Sequence, residues 1–110
     1  AKWFHSVAKQ TWIQIQLNEG PKTFLAYKLG SGNDCPRRDP KDWTIEGSND
    51  GKTWEVLDQR TDEVFKKRCE LRTFSVKRPK PFTFYRLNIT RCSQPGDGIQ
   101  LSEFSLLEKK

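Results

Sequence analysis

Apolar and polar residues alternate along most of this chain with a period of two, the spacing of side chains on the two faces of a β-strand. In 11–17, Ile13, Ile15 and Leu17 fall on one face, and the glutamines between them fall on the other. The same alternation recurs in 23–29 and 83–90. The pattern predicts strands that are buried on one side, and it favours strands over helices.

Turn-forming residues separate these runs at regular intervals. The clearest turn is Ser48-Asn49-Asp50-Gly51, between strands predicted at 42–47 and 54–57. Asn and Gly tolerate the positive φ that tight hairpin turns require, so we predict a β-hairpin here. Further strands are predicted at 70–76, 83–90 and 99–107. Seven or eight short strands joined in this way predict an all-β, antiparallel sandwich of the jelly-roll type.

The length of the chain, 110 residues, allows one domain with one core. Four tryptophans, seven phenylalanines and two tyrosines bury much area per residue, which compensates for a hydrophobic fraction of only 34%. We therefore predict a single domain over 1–110. The chain begins at Ala1 without a methionine or a visible signal peptide, so we interpret it as excised from a longer protein that carries part of the domain's N-terminal segment.

Three cysteines, Cys35, Cys69 and Cys92, cannot all pair with one another, and their spacing fits no zinc or Cys-x-x-Cys pattern. An odd number without a disulfide framework favours a reducing, intracellular compartment. One disulfide beside a third thiol stays an alternative. The sequon at Asn88 lies inside a predicted strand, so we do not expect it to be glycosylated.

The sequence has a net charge of +6, and its basic residues include two clusters, at 66–68 and 77–80. Both clusters lie in predicted loops among polar residues or prolines. This distribution favours a solvated basic surface over a nucleic-acid site.

Residues that could perform catalysis are sparse. His5 is the only histidine, and the sequence holds neither a glycine-rich phosphate loop nor a Gly-x-Ser-x-Gly turn. The fourteen carboxylates form no recognisable acid pair. We predict that the domain itself is not an enzyme.

The segment 38–54, Arg-Asp-Pro-Lys-Asp-Trp-Thr-Ile-Glu-Gly-Ser-Asn-Asp-Gly-Lys-Thr-Trp, closely resembles the discoidin family. These are the coagulation factor V/VIII type C domains, which share the galactose-binding-domain-like sandwich. The resemblance continues at 56–58, 84–87 and 100–104, and it covers most of the chain from Trp12 onward. The resemblance therefore implies a β-sandwich, the same fold that the alternation of apolar and polar residues predicts.

The residues that match the family's pattern also have structural explanations. They are Arg38, Asp39, Trp43, Asn49, Gly51, Trp54, Arg86 and Glu103. We expect Trp43 to point into the core and Trp54 to cover the same core from the neighbouring strand. Arg86 has apolar neighbours in mid-strand, so we expect it to need a carboxylate partner, either Asp39 or Glu103.

Many relatives bind a structural calcium ion through an acidic loop ahead of a Lys-Trp pair and a Glu on the last strand. Lys2-Trp3 and Glu103 fit the flanks of that pattern, but the loop would precede Ala1. Calcium prefers six to eight oxygen ligands, which Glu103 alone cannot supply. We therefore predict no metal and no cofactor, with calcium only where upstream residues are present.

In sugar-binding members of this fold, ligands bind among loops at one end of the sandwich. An aromatic ring stacks on the sugar there, and Arg, Asn or His side chains bond its hydroxyls. Segments 2–6, 31–39 and 91–98 have this character. The resemblance thus implies a binding site whose candidate contacts are Trp3, His5, Asn33, Asp34, Arg37 and Arg91. Their structural alternatives are a core position for Trp3, ordinary turn formers for Asn33 and Asp34, and plain surface positions for His5 and Arg37.

Two functions follow from the resemblance. The first is a non-catalytic module that binds a carbohydrate or glycoprotein and is appended to a larger, glycan-processing protein. The alternative is a module that contacts a protein or a phospholipid surface. Membrane insertion needs exposed apolar residues ringed by basic ones. The predicted loops are polar, with Phe4 as their main apolar residue, which disfavours a membrane partner.

Overall fold

The computed structural model describes residues 3–5, 11–31, 39–66, 70–92 and 99–109. This part of the chain forms eight strands and no helix: β1 (Trp3–His5), β2 (Thr11–Gln16), β3 (Ala26–Ser31), β4 (Pro40–Ser48), β5 (Glu55–Arg60), β6 (Leu71–Ser75), β7 (Phe84–Cys92) and β8 (Ile99–Leu107). The strands form two antiparallel sheets, sheet A in the order β1-β8-β3-β6 and sheet B in the order β2-β7-β4-β5. The predicted all-β antiparallel sandwich is confirmed.

The core lies between the two sheets and is rich in aromatic rings. Phe74 of sheet A contacts Trp43 of sheet B edge-on, with ring centroids 5.2 Å apart, and stacks on Tyr27 at 5.4 Å. On β7, Tyr85, Leu87 and Ile89 are all buried, as their alternation predicts. These large rings fill the core of a small domain.

The predicted hairpin joins β4 and β5. The Ser48 hydroxyl accepts a hydrogen bond from Gly51 N at 2.9 Å, and Asp50 Oδ1 accepts bonds from Lys52 N and Thr53 N at 2.8 Å each. Gly51 has a φ of 75°, a conformation in which glycine is strongly favoured. The hairpin is confirmed, with strands longer than the alternation indicates.

A β-bulge in β5 turns two consecutive side chains towards the core. Ile45 pairs with Asp58, whereas Glu46 pairs with Val56, so Leu57 has no residue opposite it. Leu57 and Asp58 are consequently both buried, each with 2% of its surface exposed. The bulge therefore places a carboxylate inside the sandwich.

Two expectations about the outer face of sheet B are wrong. Trp54 does not cover the core, because its ring packs against the Arg86 guanidinium, with 4.0 Å between guanidinium carbon and ring centroid. Arg86 also lies 4.5 Å from the ring of Trp12 on the neighbouring strand β2, and its Nη2 donates to Gln14 Oε1 at 2.9 Å.

Neither expected carboxylate contacts Arg86. Glu103 lies on sheet A, where it pairs with Gly30, and Asp39 makes no contact with Arg86. The physical reason is the strand period: Tyr85 and Leu87 point inward, so Arg86 points outward, where its guanidinium contacts aromatic faces instead.

Candidate functional site

Strand ends from both sheets meet at one end of the sandwich, which we call the loop end. β1 finishes opposite the start of β8, where His5 pairs with Ile99. β3 also finishes here, at Ser31, and β4 begins opposite the end of β7, where Pro40 pairs with Cys92. Parts of the chain between these strand ends, 6–10, 32–38, 67–69 and 93–98, fall outside the described residues.

The topology brings several predicted contacts to the loop end. His5 is the last residue of β1, and Arg91 is the last but one of β7. Trp3 lies on β1, where it pairs with Leu101. The other three, Asn33, Asp34 and Arg37, fall outside the described residues, as does Arg38 of the family motif.

Arg91 is held by two carboxylates. Its Nε and Nη2 donate to the two oxygens of Asp42 at 2.8 and 3.0 Å, and Nη2 also donates to Asp62 Oδ1 at 2.5 Å. Hydrogen bonding to Arg91 lowers the pKa of Asp42 below its ordinary range, and the bonds to Asp42 and Asp62 raise the pKa of Arg91. The third nitrogen, Nη1, bonds no residue that the structure describes, and 42% of the side chain is exposed. Arg91 can therefore still donate to a ligand while its position is fixed.

A second group of bonds ties β3 to the segment before β6. Ser31 N donates to Glu70 O, and Ser31 Oγ accepts from Glu70 N, both at 2.8 Å. Glu70 Oε1 accepts from Lys66 N at 2.5 Å. Ser31 is fully buried. These bonds fix the end of β3 against the segment before β6 at the loop end.

Sequence reasoning missed Asp42, Asp62 and Glu70 as parts of this end. A signal for Asp42 exists, because it directly precedes the inward-pointing Trp43 and so must face outward at the start of β4. Asp62 has no such signal: it follows the end of β5 in a loop and adopts a φ of 56°.

Asp39, buried directly before β4, also lies at the loop end, whereas the residues of the family's turn lie far from it. Asn49 and Gly51 are in the 48–54 turn at the opposite end of β4, which we call the hairpin end. Glu103 accepts a hydrogen bond from the Ser105 hydroxyl at 2.8 Å. Among the described residues, no group of three or more His, Cys, Asp or Glu side chains could hold a metal ion.

The family model described as F5/8 type C domain matches residues 2–104. The chain belongs to this family. The predicted membership in the discoidin family is thereby confirmed. The F5/8 type C domain is also 46% identical over 74 residues to a peptide-N(4)-(N-acetyl-β-glucosaminyl)asparagine amidase of Arabidopsis thaliana, a match that covers 66% of the domain. The domain spans about a tenth of the length of that protein.

Solved structures share the fold at low sequence identity. A family 32 carbohydrate-binding module from Streptococcus pneumoniae EndoD superposes with a TM-score of 0.74 and 16% identity, over 98% of this domain and 75% of that chain. CpGH89CBM32-5 from Clostridium perfringens, in complex with GalNAc-β-1,3-galactose, superposes with a TM-score of 0.74 and 12% identity. The match covers 96% of this domain and 74% of that chain. These similarities establish the galactose-binding-like sandwich.

Proposed function

We propose that this F5/8 type C domain is a non-catalytic module that binds a glycan at its loop end. The observation that carries the proposal is the convergence of His5 and Arg91 with the ends of the 32–38 connection. Imidazole and guanidinium donors suit the hydroxyl groups of a sugar. Within 32–38, Asn33, Asp34 and Arg37 add further polar groups, and Trp3 offers an aromatic ring.

The geometry of Arg91 supports this assignment. Because Asp42 and Asp62 hold Nε and Nη2, the guanidinium loses little freedom when Nη1 bonds a ligand. A donor that is already fixed binds at a smaller entropic cost than a mobile one. The Ser31–Glu70 bonds fix the neighbouring strand ends in the same way.

The relatives support a saccharide as the ligand. One similar structure holds GalNAc-β-1,3-galactose, and the Arabidopsis relative is named for an amidase that acts where N-acetylglucosamine joins asparagine. We infer that the domain binds N-acetylhexosamine-containing glycans or glycoproteins. It would then deliver a larger, glycan-processing protein to its substrate.

The test is a glycan array with the wild-type domain, followed by calorimetry with GalNAc-β-1,3-galactose and N,N′-diacetylchitobiose. His5→Ala and Arg37→Ala should each weaken binding about tenfold or more, since a buried polar contact is worth about 1–3 kcal/mol. Arg78→Ala is the matched control, because Arg78 is exposed near the hairpin end. If the wild type retains no glycan, the proposal is wrong.

One observation favours the alternative function. Val64 and Leu71 are exposed by 61% and 49%, and both belong to the loop end, close in sequence to Lys66. Exposed apolar residues beside a cation suit a protein or an anionic lipid surface. Sedimentation with phosphatidylserine vesicles at low salt, lost in the Val64→Glu/Leu71→Glu variant, would support this function. Absence of sedimentation would exclude its membrane form.

A further inference from the structure

We propose that the hairpin end carries a second saccharide-binding site. It is a cleft of about 480 Å³ lined by Gly47, Asn49, Asp50, Thr53, Trp54, Glu55 and Phe82. We call it the Trp54 cleft. Its size falls within the usual range for small-molecule sites, about 300–1,000 Å³. It lies at the far end of the nine-residue strand β4, about 26 Å from the loop end.

The apolar part of the Trp54 cleft is built into the fold. A Cβ atom at Gly47 would stand 2.2 Å from Phe82 Cδ2, so only a glycine at this position lets the Phe82 ring lie across β4. The Trp54 ring is held by the Arg86 guanidinium at 4.0 Å. Both rings therefore have fixed positions before any ligand arrives, which is the condition for stacking on a pyranose ring at low entropic cost.

Several polar groups around these rings are left without partners by the part of the chain that the structure describes. Among the described residues, nothing bonds the Asn49 amide, the Thr53 hydroxyl or the Trp54 indole N–H. Asp50 Oδ1 accepts three hydrogen bonds, from Ser48 Oγ, Lys52 N and Thr53 N, whereas Oδ2 accepts none from this part of the chain. The cleft thus offers donors and acceptors together beside an aromatic face. Sugar hydroxyls both donate and accept, so they match this set.

The charges of the cleft favour a neutral ligand. Glu55 is neutralised by Lys80, whose Nζ lies 2.5 Å from Oε2. The bonds from Thr53 N and Lys52 N lower the pKa of Asp50 to about 2, so this carboxylate stays ionised at physiological pH. An anionic ligand would be repelled by Asp50. A single acceptor carboxylate at the edge of an aromatic cleft suits a neutral sugar.

The lining of the Trp54 cleft includes no residue of the loop end. The second site shares only its ligand class with the proposed function. Two sites at opposite ends would let one domain engage two branches or two chains, which raises the overall affinity for multivalent glycans.

The test is a titration of the ¹⁵N-labelled domain with GalNAc-β-1,3-galactose and, separately, with N,N′-diacetylchitobiose, followed by NMR. We expect shifts of the Trp54 indole N–H and of the Thr53 and Glu55 amides. Asn49→Ala and Thr53→Val should weaken this binding about three- to tenfold, the value of one hydrogen bond, without altering the fold. Asn18→Ala is the control, because Asn18 is an exposed amide in a turn at the same end whose shallow cleft lacks aromatic residues.

Each outcome separates the two sites. Shifts confined to Ser31, Cys92 and Ile99 at the loop end would overturn the second site and support the proposed function. Shifts confined to the Trp54 cleft would support the second site and overturn binding at the loop end. No shift at either end with either sugar would overturn both. An equal loss in Asn18→Ala would also overturn the second site.

Discussion

At the scale of single residues, the buried carboxylate of Asp58 depends on hydrogen-bond donors from both sheets. Its Oδ2 accepts from the Tyr27 hydroxyl at 2.5 Å and from Arg60 Nε at 3.0 Å. The Tyr27 oxygen in turn accepts from Trp43 Nε1 at 2.9 Å. Burial, reinforced by the bond to Asp58, raises the pKa of Tyr27 well above its usual range. Tyr27 therefore stays protonated and donates to Asp58 at physiological pH.

Removal of the Tyr27 hydroxyl should be costly. Tyr27→Phe leaves one donor to Asp58 instead of two, and it leaves the Trp43 indole N–H without an acceptor. We therefore expect a loss of about 1–3 kcal/mol in the free energy of unfolding. Urea denaturation measures it. In the Tyr27→Phe/Asp58→Asn double variant the loss should be smaller than the sum of the two single losses. Additive losses would show that the pair is not coupled.

Arg86 acts through its planar guanidinium as well as its charge. Arg86→Lys keeps the charge but loses the flat group between Trp12 and Trp54, so we expect a loss of about 1 kcal/mol and a shift in tryptophan emission. Arg78→Lys, the same exchange at an exposed position, should change neither. Equal effects in the two variants would contradict a role for the stack.

At the scale of elements, the β4–β5 hairpin is stabilised by an ionised side chain. The folded-state pKa of Asp50, about 2, lies below the ordinary value for aspartate, about 3.9. The contribution of this carboxylate is therefore fully present above about pH 4 and is lost as the pH falls towards 2. Asp42, whose pKa is lowered chiefly by its bond to Arg91, adds to the same acid sensitivity.

We expect Asp50→Asn to flatten the fall in stability between pH 4 and pH 2. Urea midpoints measured at several pH values across this range test the expectation. Glu19→Gln removes an equal charge from the turn that follows β2, also at the hairpin end, and so controls for the change in net charge. An unchanged slope in Asp50→Asn would contradict the assignment of the acid sensitivity to this turn.

Gly47 tests the shape of the Trp54 cleft. Gly47→Ala places a methyl group where Phe82 lies, so the ring must move, and we expect a loss of about 1–3 kcal/mol from overpacking. Gly20→Ala is the complementary variant, because Gly20 has a φ of 94° and nothing within 4 Å of a Cβ, so its loss reports backbone strain without crowding. No loss in Gly47→Ala would show that Phe82 adapts freely.

The elements were predictable where local residues decide them. Alternation on β7 and turn chemistry at 48–51 are local signals, and both led to the observed strands. The inward position of Asp58 was not predictable, because it depends on a bulge that only the pairing of β4 with β5 reveals. The position of Trp54 was misjudged for a related reason. Its side depends on packing against Arg86, which is distant in the sequence.

At the scale of the whole molecule, the candidate site could be predicted as an end of the sandwich but not as an arrangement of side chains. The topology joins the first strand to the last, β1 to β8, and thereby brings His5 to the same end as Arg91. No local pattern encodes such a contact. The carboxylates that hold Arg91 come from two other segments, which only the assembled sandwich brings together.

The same topology should make folding slow for a domain of this size. The pairing of β1 with β8, and of β2 with β7, closes long loops. The chain loses this loop-closure entropy before the new contacts stabilise it. We expect refolding on a timescale of milliseconds to seconds. Stopped-flow fluorescence measures it through Trp43, which is buried between the sheets. Refolding within microseconds would contradict the expectation.

The Trp12–Arg86–Trp54 stack lies next to an exposed sheet edge. β2 is an edge strand of sheet B, and an exposed edge beside apolar side chains is a template for self-association. Arg86 places a permanent positive charge between the two indoles next to that edge. Two copies that approach through this face would bring like charges together, so we expect the stack to oppose self-association through this edge.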